Sequence, residues 1–210
     1  MTPGLDIPSP TGLKPETLLG RIDAIVLGTS AGGVEALSAL LPTLPENFRP
    51  ALLIVLHLPR ERPSLLVEIF SKKCLLPVRE AQDKEPVQPG TVYFAPADYH
   101  LLVDTGPRLA LSVDALVHYS RPSIDVLFES AADVYGPRLA GIILTGANAD
   151  GAQGLAAVRA AHGVTVVQQP DTAQVPFMPK AALARGPADF VLSLDQLSRL
   201  LRAMGGPGGL

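Results

Sequence analysis

The 210-residue chain holds one cysteine, Cys74. A lone thiol excludes an internal disulfide and a cysteine-built zinc site, so Cys74 reads as a small, half-buried hydrophobe. Charge is also scarce. Charged residues make up 18%, against a usual share of about 25%. The net charge of −3 gives no general attraction to phosphate backbones, so no nucleic-acid partner is expected. No run of about 18 consecutive apolar residues occurs, which excludes a membrane-spanning helix of that kind. The N-terminus lacks the basic-then-apolar pattern of a secretion signal. These absences predict a soluble, cytoplasmic protein without membrane insertion. What the chain does have is apolar mass: 47% hydrophobic residues and a mean hydropathy of +0.28. That content excludes disorder and coiled coil for the bulk of the chain and suits one large domain.

Residues 1–20, with Pro3, Pro8, Pro10 and Pro15, read as a flexible Pro-rich leader, 21–203 as one folded domain and 204–210 as a Gly-rich tail. Short apolar runs at Ala24–Leu27, Ala51–Leu56, Leu139–Leu144 and Val164–Val167 have the composition of buried parallel strands. Helical spacing follows at Val34–Leu41, Leu65–Cys74, Ala152–Ala161 and Leu194–Met204. This alternation predicts a three-layer α/β/α domain with a mostly parallel sheet. In the middle, Thr91–Phe94, Leu101–Val103 and Leu109–Val113 are short strands broken by Pro, Gly and Asp, the pattern of an antiparallel hairpin region. Pro122–Val134 reads as a helix entered through a proline.

In such sheets, ligands and chemistry gather at the carboxyl ends of the strands. Three ends carry candidate groups. The first strand runs into Gly28-Thr29-Ser30-Ala31-Gly32-Gly33, and Gly28-x-Ser30-x-Gly32 matches the nucleophile-elbow spacing. There Ser30 is a candidate nucleophile, or simply a helix cap in a Gly-rich turn. The second strand ends on His57, a candidate general base or a structural hydrogen-bonder. The later strand runs into Thr145-Gly146-Ala147-Asn148-Ala149-Asp150-Gly151. Asp150 can fix the tautomer of a catalytic histidine, or cap the helix that follows.

A dinucleotide site fits poorly, because the glycine spacing is wrong and His57 stands where an acidic ribose ligand belongs. A P-loop fails for want of Gly-Lys-Ser/Thr. A rival triad of Ser30, Asp150 and His162 is set aside because His162-Gly163 closes a helix, at the opposite end of the layer from the carboxyl edge. His100 and His118 are expected to be exposed, Asp98 and Asp171 to occupy turns, and Arg121-Pro122-Ser123 to cap a helix sooner than bind a substrate carboxylate.

Together these residues resemble the catalytic domain of the chemotaxis protein-glutamate methylesterases. The likeness begins with Gly28–Gly33 and Val55-Leu56-His57-Leu58-Pro59 and continues through Pro89–Pro96 and His100. It includes Arg121–Phe128 and ends with Leu144-Thr145-Gly146 up to Asp150-Gly151, covering roughly residues 22 to 200 in the family's order. The resemblance implies a catalytic Ser30, His57 and Asp150, with an oxyanion held by backbone amides near Ala31 and Ala147. It implies hydrolysis of glutamate γ-methyl esters on methyl-accepting chemoreceptors, with glutamine deamidation as a second activity and no metal or cofactor. Three departures stand out. The twenty or so residues before the first strand cannot hold the family's usual N-terminal receiver domain. Ala147-Asn148 replaces a common Met-Gly, and Ala31 replaces a frequent threonine. A serine hydrolase for another ester, a non-catalytic docking module of a chemosensory-like complex, and a nucleotide binder are the competing readings.

Overall fold

The computed structural model describes residues 7–57 and 65–205. Nine strands and six α-helices follow one another within them. These are β1 (Ala24–Thr29), α1 (Gly33–Leu40), β2 (Ala51–Leu56), α2 (Leu66–Ser71), β3 (Val78–Glu80), β4 (Val92–Phe94), β5 (His100–Asp104) and β6 (Arg108–Ser112). Then come α3 (Ile124–Tyr135), β7 (Leu139–Ile143), α4 (Ala152–Ala160), β8 (Val164–Gln168), α5 (Phe177–Ala184), β9 (Phe190–Leu192) and α6 (Leu194–Met204).

Seven strands form one parallel sheet in the order β3-β4-β2-β1-β7-β8-β9. Both of its faces are covered, so successive residues of a central strand enter different cores. From β1, Ile25 and Leu27 join α1, α2 and α6 on one face. Ala24 and Val26 join α3, α4, α5 and the hairpin on the other. The hairpin itself is the antiparallel pair β5–β6, a sheet of its own.

The expected three-layer class is found, with changes of detail. Thr91–Phe94, read with the hairpin, supplies β4 of the main sheet, paired in parallel with β2 and β3. Three elements went unread. β3 and β9 have only three residues each and partly exposed patterns, too little for periodicity to register. Pro179 lies in the first turn of α5; a proline reads as a break, yet a first turn needs no N–H from it. The leader read as flexible is packed where described. Ile7 and Leu18 are buried, Ser9 Oγ donates to Asp189 O, and Pro15–Leu18 is a 3₁₀ turn. Residues 1–6 and 206–210 lie outside the described residues. Among the described residues no helix is long and apolar enough to cross a membrane.

Candidate active site

From β1 the chain steps to β2 on one side and returns to β7 on the other. Strand order thus reverses about β1, where open α/β sheets place their crevice. Register aligns the ends of these strands. Thr29 pairs with Leu56 and Gly28 with Ile143. Just beyond them, His57 N–H donates to Thr29 O (3.2 Å) and Ser30 N–H to Thr145 O (3.0 Å). The structure therefore brings the Ser30, His57 and Asp150 segments to one edge. His162 is exposed, beyond the C-terminal end of α4 and before β8, at the opposite edge.

Ser30 is half-buried in a tight turn. The sharp bend falls on Gly32, whose φ of 79° is easy only for glycine. Ser30 itself is not among the non-glycine residues with positive φ, so the elbow spacing is present without strain at the serine. Thr145 Oγ1 holds the turn by donating to Ala31 O (2.8 Å). Among the described residues, Ser30 Oγ and the N–H groups of Ala31 and Ala147 have no hydrogen-bond partner.

The imidazole of His57 has both ring nitrogens engaged. Nε2 lies 2.9 Å from Asp150 Oδ2 and Nδ1 lies 3.2 Å from Asn148 Nδ2. Asn148 Oδ1 accepts from Asp150 N–H (3.2 Å), which orients the amide and leaves Nδ2 as the donor to His57. Nδ1 is therefore an acceptor, and the proton of the neutral ring sits on Nε2, facing Asp150.

Asp150 is fully buried. Its Oδ2 also accepts from Ile124 N–H (2.7 Å), and its Oδ1 accepts from Ser123 Oγ–H (2.8 Å) and Asp125 N–H (3.0 Å). Burial alone would push this carboxyl up. The hydrogen bonds from His57, Asp125 and Ile124 outweigh it and hold Asp150 below the ordinary carboxylate value. Asp150 thus caps α3, a helix remote in sequence, at its positive end. The cap expected on α4 is instead Gly151, with φ 93°. Ser123 occupies the N-cap position of α3 but makes no side-chain cap bond there; its hydroxyl goes to Asp150.

Three further residues support this carboxylate. His100, expected at the surface, is 1% exposed. Its Nδ1 accepts from Ser123 N–H (3.2 Å) and its Nε2–H donates to Ala115 O (3.0 Å), tying the hairpin to the entry of α3. Asp125 is buried and accepts from Gly154 N–H (2.6 Å). His118 is exposed, as expected, with Nε2 3.4 Å from Asp125 Oδ2. Gly28 lets α3 approach: a Cβ there would stand 2.3 Å from Ile124 Cγ2. Arg121 is not available to a substrate, because it holds Asp98 and the carbonyls of Val113 and Asp114. His100, Ser123 and Asp125 lie in stretches that carry the family likeness, but that likeness assigned them no role. The one available signal was a cap residue, Ser123, entering a helix.

A cavity of about 270 Å³ opens beside the Asp150 loop, lined by His118, Asp125, Ala149 and Gln153 among others. A larger one, about 510 Å³, lies at the amino edge of the sheet near Ile22, Ala51 and Tyr135. Neither is lined by Ser30 or His57. Among the described residues, no group of three or more His, Cys, Asp or Glu is placed to hold a metal ion.

Comparison with known proteins accords with this architecture. A Leptospira interrogans protein, provisionally named protein-glutamate methylesterase/protein-glutamine glutaminase, is 44% identical over 178 residues, covering 85% of this chain and 92% of its own. The protein-glutamate methylesterase/protein-glutamine glutaminase of Symbiobacterium thermophilum is 38% identical over 182 residues, 86% of this chain. This chain spans about half of that longer relative, 50% of its length. The crystal structure of the Thermotoga maritima CheB methylesterase catalytic domain superposes with a TM-score of 0.81 at 32% identity, over 86% of this chain and 97% of that one. The CheB methylesterase family model matches residues 25–201, and the chain belongs to that family.

Proposed function

We propose that this chain removes methyl groups from glutamate γ-methyl esters on the cytoplasmic helices of methyl-accepting chemoreceptors, using Ser30, His57 and Asp150. The observation that carries the reading is the pairing of a half-buried His57 with the fully buried Asp150 at the sheet edge where Ser30 stands. Ser30 Oγ attacks the ester carbonyl as its proton passes to Nδ1 of His57, the nitrogen that turns away from Asp150. Asp150 keeps the second proton on Nε2 and stabilises the imidazolium. The N–H groups of Ala31 and Ala147, without a partner among the described residues, are the donors for the tetrahedral oxyanion. The imidazolium then protonates the departing methoxide, and methanol leaves an acyl-serine. Next His57 takes a proton from water, the resulting hydroxide attacks the acyl carbon, and a receptor carboxylate and free Ser30 are regenerated. A glutamine side chain enters the same route with ammonia as the leaving group. No step requires a metal or cofactor, and the substrate places the reaction in the cytoplasm.

Methanol release from a methylated chemoreceptor cytoplasmic fragment tests this reading. The parent and His162→Ala should release methanol. Ser30→Ala and His57→Ala should fall by at least about 10³-fold. Activity surviving in Ser30→Ala would remove the serine mechanism. Inactivity of the parent on this fragment would remove the receptor substrate.

A further inference from the structure

The nitrogen of His57 that must take the Ser30 proton already has a partner. Asn148 Nδ2 donates to Nδ1 across 3.2 Å, while its Oδ1 is held by Asp150 N–H at 3.2 Å. Ser30 Oγ, one strand end away, has no hydrogen bond among the described residues. An imidazole nitrogen offers one lone pair in the ring plane, so it cannot accept from Asn148 and from Ser30 together. Nor can the amide be reversed to accept instead, because its oxygen already serves Asp150 N–H.

We infer that Asn148 is a positioning residue that locks the base of this enzyme at rest. Its amide holds His57 in the Nε2–H tautomer, correctly presented to Asp150, and keeps the Nδ1 lone pair from Ser30 until it is withdrawn. The inference rests on Ser30 as nucleophile and His57 as base. It adds an opening step before attack, set in the Asp150 loop and separate from the ester chemistry. Alanines flank Asn148, both of them exposed and without a side chain that reaches a partner. The amide can therefore swing without dragging packed groups with it.

The lock acts on Ser30 reactivity whatever the natural substrate, so a substrate-independent probe is the direct test. A fluorophosphonate forms an O–P bond to Ser30 and expels fluoride, with the serine proton passing to His57 Nδ1. Asn148→Ser keeps a short oxygen for Asp150 N–H but cannot reach His57; Asn148→Gly removes both contacts. Giving up one neutral hydrogen bond before attack is worth on the order of a 3–10-fold rate factor. Both variants should therefore label Ser30 about 3–10-fold faster than the parent. In nitrogen-15 spectra of labelled histidine, the His57 Nδ1 resonance should move downfield in both as it loses its donor. A role confined to the turn would instead slow Asn148→Gly and leave Asn148→Ser at the parental rate, overturning the lock. Slower labelling in both would make the amide a transition-state donor and overturn it as well. No label on Ser30 in any form would overturn the lock together with the serine mechanism. Faster labelling without methanol release in any form would remove only the receptor-ester substrate and leave the lock standing.

Discussion

At the scale of single residues, the site depends on how Asp150 is held. Four donors converge on one carboxylate: His57 Nε2–H, Ser123 Oγ–H and the N–H groups of Ile124 and Asp125. Ser123 and Asp150 are both 0% exposed, so no water replaces a deleted hydroxyl. A hydrogen bond to a charged partner contributes about 1.5–3 kcal/mol. Ser123→Ala should therefore lower unfolding stability in urea by about 2 kcal/mol. Ser123 faces Asp150 and not Ser30, so kcat for methanol release should drop several-fold with KM little changed. An unchanged stability would mean that Ser123 does not support the carboxylate. The placement of Ser30, His57 and Asp150 at one sheet edge was legible because each follows an apolar strand, directly or through a short loop, and strand ends can be read locally. Ser123 and His100 were not legible in their roles. Their partners lie 27 and 23 residues away, and only the docking of α3 over β1 brings them together.

Among the elements, that docking is the decisive contact. The first turn of α3 lies over β1 so closely that Gly28 has no room for a side chain: a Cβ there would collide with Ile124 Cγ2 and stand 2.9 Å from its Cδ1. Overpacking of this kind costs about 1–3 kcal/mol. Gly28→Ala should destabilise by that amount, and it should also tilt the Ile124 and Asp125 N–H groups away from Asp150. Its methanol release should consequently fall by more than the unfolded fraction explains, measured at a temperature where the variant is still folded. A loss of activity that merely tracks stability would separate the helix contact from the site. The strands that surround β1 were readable because four to six apolar residues on a doubly covered strand leave no other plausible form. The edge strands β3 and β9 were not, since three residues at a sheet margin have neither length nor full burial. Ser193 and Gln196 form a complete capping box at the start of α6, and the predicted span Leu194–Met204 matches that helix.

Across the whole molecule, three buried acids shape stability against pH, with signs that follow from linkage. Asp150 lies below the ordinary carboxylate value of 3.8 because its hydrogen bonds outweigh burial. Its stabilisation is complete above that value and is lost as pH falls through its lowered pKa. Asp125 is raised, first by burial and then by Asp150. Between 3.8 and its raised value the folded chain binds more protons, so Asp125 adds stability as pH falls through that window. At the alkaline end stands Tyr135, 4% exposed and pushed from 10.0 to about 12, first by burial and then by Asp23. Above pH 10 the unfolded chain loses this proton first, so stability falls as pH rises towards 12. One pK step is about 1.4 kcal/mol, and by pH 11 Tyr135 should have cost about 1.4 kcal/mol relative to pH 8. Tyr135→Phe keeps the ring beneath the Arg138 guanidinium, 5.9 Å away, and removes the titrating hydroxyl. Urea unfolding at pH 8 and pH 11 should show the parent losing about 1.4 kcal/mol more than Tyr135→Phe over that interval. Equal losses would mean that the phenol is hydrated in the folded chain. Because Tyr135 lines the amino-edge cavity, that result would also mean water reaches the buried end of α3 from the side opposite Ser30.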